Sequence, residues 1–267
     1  MGVPNTPGKL GSKAVIDPAR VLHERKKDGQ HPSCSIPDGV IVCYDTALWQ
    51  WICTYPDRVD CDGWLTGSHL LPCAERRILI TKAAGVGAPT AAMTLEELIA
   101  FGITQFVSLG AAGGLQKSLR IGDIVVCDRA IRDEGTSHHY LPAAKYAHAC
   151  PTLTAGLIAA INANEIPAST GTTWTTDAPY RETVEELRAY RAEGVATVEM
   201  EAAAVFAVGE YRGVSVSSIF TISDVLSDEG WDQGYETEEM SGSMKQIFQI
   251  ALETIAARSN APNFDGD

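Results

Sequence analysis

Between residues 40 and 258 short β-branched runs alternate with stretches whose apolar residues recur every three or four positions, and no other feature constrains the fold as tightly. Residues 40–44, 77–81, 105–109, 123–127, 169–175 and 215–223 read as strands. Residues 90–101, 151–163, 182–191, 202–211 and 240–258 read as helices, the first opened by Pro89 and Thr90 after the loop Gly85-Val86-Gly87-Ala88. Neither kind of element buries its apolar face alone, and a sheet covered by helices on both sides satisfies both. The expected fold is α/β: one domain over residues 39–258, with a mixed, mostly parallel central sheet flanked by helices. Residues 1–38, rich in Pro, Gly and charge with a short helical stretch at 18–27, read as an N-terminal arm over the body or a partner subunit. Residues 259–267 read as a frayed C-terminal tail.

Charge narrows the partners. The chain of 267 residues carries 34 Asp plus Glu against 21 Lys plus Arg, a formal charge of -13. That balance argues against a surface built to neutralise nucleic acid or anionic lipid, so an anionic ligand has to be gripped locally. No leader-like or membrane-spanning run stands out, and Cys34, Cys43, Cys53, Cys61, Cys73, Cys127 and Cys150 form no C-x-x-C pair. The expectation is a cytoplasmic protein with neither a disulfide framework nor a zinc knuckle. His138 and His139, adjacent on a segment expected to be extended, would point to opposite sides, so no metal site is expected. Trp49, Trp51 and Trp64 read as packing residues, with Trp49 or Trp51 as candidate covers of a pocket.

In such folds ligands collect beyond the carboxyl ends of strands, and four segments there carry functional groups. Gly110-Ala111-Ala112-Gly113-Gly114 reads either as a tight turn or as a cradle of backbone N–H groups; it has neither the G-x-G-x-x-G nor the P-loop spacing. Val198-Glu199-Met200-Glu201-Ala202 puts two carboxylates at a strand-to-helix junction, where they either cap the helix or meet polar ligand groups such as sugar hydroxyls. Asp224 ends the run 218–223 and is either a cap or a proton donor with a carboxyl raised by burial. Residues 132–140 gather Arg132, Asp133, Glu134, Thr136, Ser137, His138, His139 and Tyr140 after another strand.

Taken together with Gly85–Pro89, 95–98, 121–125 and Thr175-Thr176-Asp177-Ala178-Pro179-Tyr180-Arg181-Glu182-Thr183, these segments resemble, in order, the nucleoside phosphorylase superfamily of uridine phosphorylases, bacterial purine nucleoside phosphorylases and methylthioadenosine nucleosidases. The resemblance implies cleavage of a nucleoside N-glycosidic bond by a homo-oligomer (dimer, trimer or hexamer) with no cofactor beyond inorganic phosphate as co-substrate. It implies that Glu201 holds the ribose hydroxyls, with Glu199 and Met200 completing the sugar wall, and that Asp224 protonates N7 of a departing purine. Asp177, Tyr180 and Arg181 are the implied polar groups around the base.

At the phosphate site the chain departs from the family. Where the family reads Gly-Asp-Pro-x-Arg, this chain reads Tyr44-Asp45-Thr46-Ala47-Leu48; Ser108 replaces a second arginine, Ala111 a hydroxyl residue, and Ser68-His69 the region of a third arginine from the neighbouring subunit. Each charge-assisted hydrogen bond contributes roughly 1.5 to 3 kcal/mol, which argues against phosphate held in the usual way. Three expectations follow: a phosphorylase gripping phosphate through the 110–114 amides with Arg132 or His69; a nucleosidase whose water is positioned by Asp45; or a non-catalytic nucleoside-binding or storage protein. Retention of Glu201 and Asp224 favours the enzymes.

Overall fold

Among the described residues eleven strands form one sheet: β1 (Gly39–Cys43), β2 (Val59–Asp60), β3 (Ser68–Cys73), β4 (Arg76–Lys82), β5 (Gln105–Gly114), β6 (Ile124–Asp133), β7 (Tyr146–His148), β8 (Ala168–Thr176), β9 (Thr197–Glu199), β10 (Ser215–Ser227) and β11 (Gly230–Gln233). The computed structural model describes residues 5–63 and 67–258, so the expected tail and Trp64 lie outside the described residues. Strands β4, β1, β5 and β10 run parallel and side by side. Strand β6 is antiparallel to β10 and parallel to β8, which is parallel to β9, and β9 turns back antiparallel onto β5. The sheet therefore closes into a ring of β5, β10, β6, β8 and β9, which the strand pattern alone did not disclose.

Seven α-helices among the described residues cover it: α1 (Pro18–Lys27), α2 (Thr46–Ile52), α3 (Ala88–Ala100), α4 (Pro151–Ala163), α5 (Val184–Ala192), α6 (Ala202–Arg212) and α7 (Glu238–Ala257). Strand β1 is buried at every position because helices cover both of its faces, which explains its unbroken apolar run. Helix α3 buries Ala88, Ala91, Ala92, Leu95 and Leu98, the spacing of a single stripe. Helix α6 is buried from Ala202 to Gly209 and ends at Gly213, whose φ of 70° suits the left-handed stop. The arm lies on the body through α1, where Arg25 pairs with both oxygens of Glu97 on α3 at 3.0 and 3.1 Å.

Several expectations change. Gly110–Gly114 is not a turn: it completes β5, with its backbone registered against Phe220–Val225 of β10 and, at Gly113 and Gly114, against β9. Cys34 and Cys61 are joined in a disulfide that ties the arm to the body. Residues 137–139 form a 3-10 turn rather than an extended segment. Helix α2 and strands β2, β3, β7 and β11 escaped the periodicity because each is short or, in β3, interrupted by Pro72. Among the described residues no helix is long and apolar enough to cross a membrane.

Candidate active site

The cavity opens where β5 changes neighbours. Strand β1 pairs with β5 only as far as Leu109, and β9 joins at Gly113, so Gly110–Ala112 have a strand on one side and open space on the other. A cavity of about 730 Å³ fills that gap, at the kind of strand-order break where α/β proteins bind ligands. Its walls include Tyr44, Asp45, Ser108, Glu182, Glu201 and Asp224.

The two glutamates of the 198–202 segment divide the two roles left open for them. Glu199 caps α6: its Oε2 accepts from the N–H groups of Glu201 and Ala202, both at 2.7 Å, and its Oε1 accepts from the Thr175 hydroxyl at 2.5 Å. Glu201 instead reaches across to accept from the Gly87 N–H at 2.5 Å. Gly87 has a φ of 98°, a conformation that favours glycine, so this contact fixes the residue type at the head of α3. Both carboxyls are pushed above the ordinary carboxylate value, by burial first and, for Glu199, then by the charge of Glu201.

Asp224 is not a helix cap, since β10 continues through it to Ser227 across an irregularity in its register with β5. Its Oδ1 accepts from the Ser223 hydroxyl at 2.6 Å and its Oδ2 from the Trp231 indole N–H at 2.7 Å. Trp231 stands on β11, folded antiparallel onto β10, and is the tryptophan among the described residues that reaches the cavity. Trp49 and Trp51 do not cover the cavity: Trp49 stacks on His69, and Trp51 meets Tyr55 and Phe248 edge-on. Gly113 makes room for Asp224, because a Cβ there would come within 2.6 Å of Leu226 and 3.1 Å of the Asp224 carboxylate.

Glu182 also lines the cavity, and sequence reasoning passed over it. Burial, followed by the charges of Asp224 and Glu186, pushes its carboxyl up to about 7. The only clue in the sequence was its place beside Tyr180 and Arg181. Nothing local announces a carboxylate facing Asp224 from 42 residues away.

Of the residues expected here, Asp45, Ser108, Gly110, Ala111, Gly113, Tyr180, Glu199, Met200, Glu201 and Asp224 come together around the cavity. Asp177, Arg181, Arg132 and His69 do not line it. The Asp177 carboxylate accepts from the Gly135 N–H at 2.8 Å. The Arg132 guanidinium donates to the Ser137 hydroxyl at 2.8 Å and to the carbonyls of Pro142 and Leu141 at 2.7 and 3.3 Å, so its fork is occupied by the loop it organises. His69 sits between Trp49 and Asp60, its Nδ1 2.9 Å from the Asp60 carboxylate. Asp45 is the N-cap of α2, its Oδ1 accepting from the Leu48 N–H at 2.6 Å.

A family model described as the phosphorylase superfamily matches residues 69–256. A guanosine phosphorylase of Halorubrum lacusprofundi is 31% identical over 219 residues, covering 76% of this chain and 90% of the relative. A DeoD-type purine nucleoside phosphorylase of an Exiguobacterium species is 28% identical, covering 67% and 75% of the two chains. Among solved structures, a uridine phosphorylase from Vibrio fischeri superposes with a TM-score of 0.73 at 24% identity, over 84% of this chain and 94% of the other. A purine nucleoside phosphorylase from Toxoplasma gondii, in complex with immucillin-H, superposes with a TM-score of 0.75 at 21% identity, over 83% and 91%. At these identities the two structures speak for the fold.

Proposed function

Because the chain belongs to the phosphorylase superfamily, we propose that it cleaves the N-glycosidic bond of a purine nucleoside in the cavity between Glu201 and Asp224. The observation that carries this reading is that these two carboxylates, which stand on different elements of the fold, line one cavity. The ribose lies against Glu201 and Met200, and the base extends towards Asp224, Glu182 and Tyr180. As the C1′–N9 bond breaks, its electron pair passes into the base and the sugar becomes oxocarbenium-like. Carboxylates beside the sugar stabilise that charge. Asp224, oriented by Ser223 and Trp231, gives a proton to N7 of the leaving base; general acid catalysis of this kind contributes on the order of 10²- to 10⁴-fold.

The names of the relatives make inorganic phosphate the first co-substrate to try, at a phosphate site that is atypical in this chain. The exposed Val86 and Tyr180 at the cavity rim support a homo-oligomer in which a second copy covers the opening. Light scattering on the purified protein checks the assembly; a monomer at all concentrations removes it. Release of free base from inosine, guanosine or adenosine tests the activity. If no nucleoside is cleaved but one raises the melting temperature, the protein is a nucleoside binder instead.

A further inference from the structure

A cluster of reactive side chains lies outside the cavity. Helix α2 carries Trp49 one turn before its C-cap, Cys53, so both side chains face the same neighbour, the His69 ring on β3. Trp49 stacks on that ring, with centroids 4.9 Å apart and planes 13° from parallel. Cys53 meets the edge of the ring, its Sγ 3.4 Å from Nε2. On the other edge stands Asp60, registered directly opposite His69 across the β2–β3 ladder, so the two side chains share a sheet face. The Asp60 Oδ1 lies 2.9 Å from Nδ1. Cys53, His69 and Asp60 do not line the cavity between Glu201 and Asp224.

Packing alone does not account for this order of groups. The His69 Nδ1 is closed off from solvent and no well-aligned hydrogen bond from the described residues reaches it, which leaves the Asp60 carboxylate as the group beside it. A carboxylate beside one ring nitrogen holds the ring proton there and leaves the other nitrogen free to accept. That nitrogen is Nε2, and the group against it is a thiol. A nucleophile, a base within reach and a third group orienting the base are the parts of an activated nucleophile. Arg58, whose Nε lies 3.9 Å from the Asp60 carboxylate, is a further charged group at this edge. Cys53 is partly exposed, within reach of a small reagent. By contrast, burial pushes up the thiols of Cys43, Cys73 and Cys127. At Cys150 burial is outweighed by hydrogen bonds from Ser215 and Thr152, which lower the thiol and make it the rival of Cys53.

We propose that Cys53, His69 and Asp60 form a second reactive site, where the Cys53 thiol exchanges with small disulfides, the oxidised form of low-mass thiols. The site is independent of what is cleaved in the cavity. His69 Nε2 takes the proton of the Cys53 thiol, and Asp60 stabilises the imidazolium that forms. The thiolate attacks one sulfur of the small disulfide; the new S–S bond forms as the old one breaks, and the departing thiolate takes the proton from Nε2. Cys53 is oxidised, one sulfur of the reagent is reduced, and the sum is a mixed disulfide plus one small thiol.

The test incubates the purified full chain with oxidised glutathione at pH 7 and locates the adduct by intact mass and peptide mapping. The expected product carries glutathione on Cys53. A thiol of ordinary acidity, about 8.5, is roughly 3% ionised at pH 7, so a neighbouring base raises the reactive fraction at most about 30-fold. His69→Phe keeps a ring against Trp49 and removes both nitrogens; it should slow modification of Cys53 about tenfold at pH 7, and the gap should close near pH 10, where the thiol ionises unaided. Asp60→Asn, at an exposed position, should leave the melting temperature unchanged and slow the reaction about threefold, which decides the matter if His69→Phe does not fold. Modification confined to Cys150, no adduct at all, or equal Cys53 rates in the wild type and the folded variants at pH 7 overturns the proposal.

Discussion

The carboxylate wall of the cavity, built by β9, α6 and β10, and the hydroxyl floor, built by β5 with the segment after β1, differ in how the protein treats their polar groups. On the wall each carboxylate is engaged: Glu199 by Thr175 and two backbone N–H groups, Glu201 by Gly87, Asp224 by Ser223 and Trp231. On the floor the Ser218 hydroxyl is buried without a bond from the described residues, and the Tyr44 hydroxyl has only Ser108 beside it. Bonds made within the chain orient a group before substrate arrives; a buried group left without one is completed by what binds there. The wall is thus positioned in advance, and the floor is not.

The sharpest way to break this contrast is Asp224→Asn, which keeps the shape of the wall and removes its capacity to pass a proton. The expected loss in kcat is on the order of 10²- to 10⁴-fold, with nucleoside affinity nearly intact. A parallel loss of binding, read by calorimetry, would make Asp224 a structural residue. Next in size is Glu201→Gln, which keeps an acceptor for Gly87 and removes the charge beside the sugar. Loss of one charge-assisted hydrogen bond, roughly 1.5 to 3 kcal/mol, lowers kcat/KM by about 10- to 100-fold, and unchanged kinetics would place the ribose elsewhere.

A smaller effect lies in stability against pH. Burial raises the Glu199 and Glu201 carboxyls above their ordinary value of 4.5, so the folded chain keeps a proton that the unfolded chain has already released. Their contribution to stability is therefore complete below pH 4.5 and declines as pH rises towards the folded-state values. Urea midpoints across this range should show the decline, and Glu199→Gln should flatten it; a slope of the opposite sign contradicts the buried pair. The smallest effect expected is Asp45→Ala, which removes the cap of α2 and costs about 1 kcal/mol.

The α/β class, the principal helices and the motif segments were legible because each rests on local pattern: the period of the α3 stripe, the continuous run in β1, the paired acids before α6. The same local reading placed Glu201, Met200 and Asp224 at the ends of strands, where the cavity lies. It misjudged the Gly110–Gly114 run because a turn and a strand that has to make room for Asp224 both call for small residues. It could not separate Glu199 from Glu201, since which of two neighbouring acids caps a helix depends on where Thr175 and Gly87 lie. Arg132 and His69 looked available because the groups that occupy them, Pro142 and Leu141 carbonyls in one case and Trp49 with Asp60 in the other, arrive through the fold.

The sequence by itself determined the principal strands and helices and which acids stand at their ends, because those choices follow from side-chain periodicity and backbone preference over a few residues. Only the tertiary structure decided that β9 returns to β5, that Glu182 and Trp231 converge on Asp224, and that Tyr44, Ser108 and Ser218 lie in one row. These are matters of register between strands far apart in the chain, and register is set by the packing of the whole sheet rather than by any segment within it.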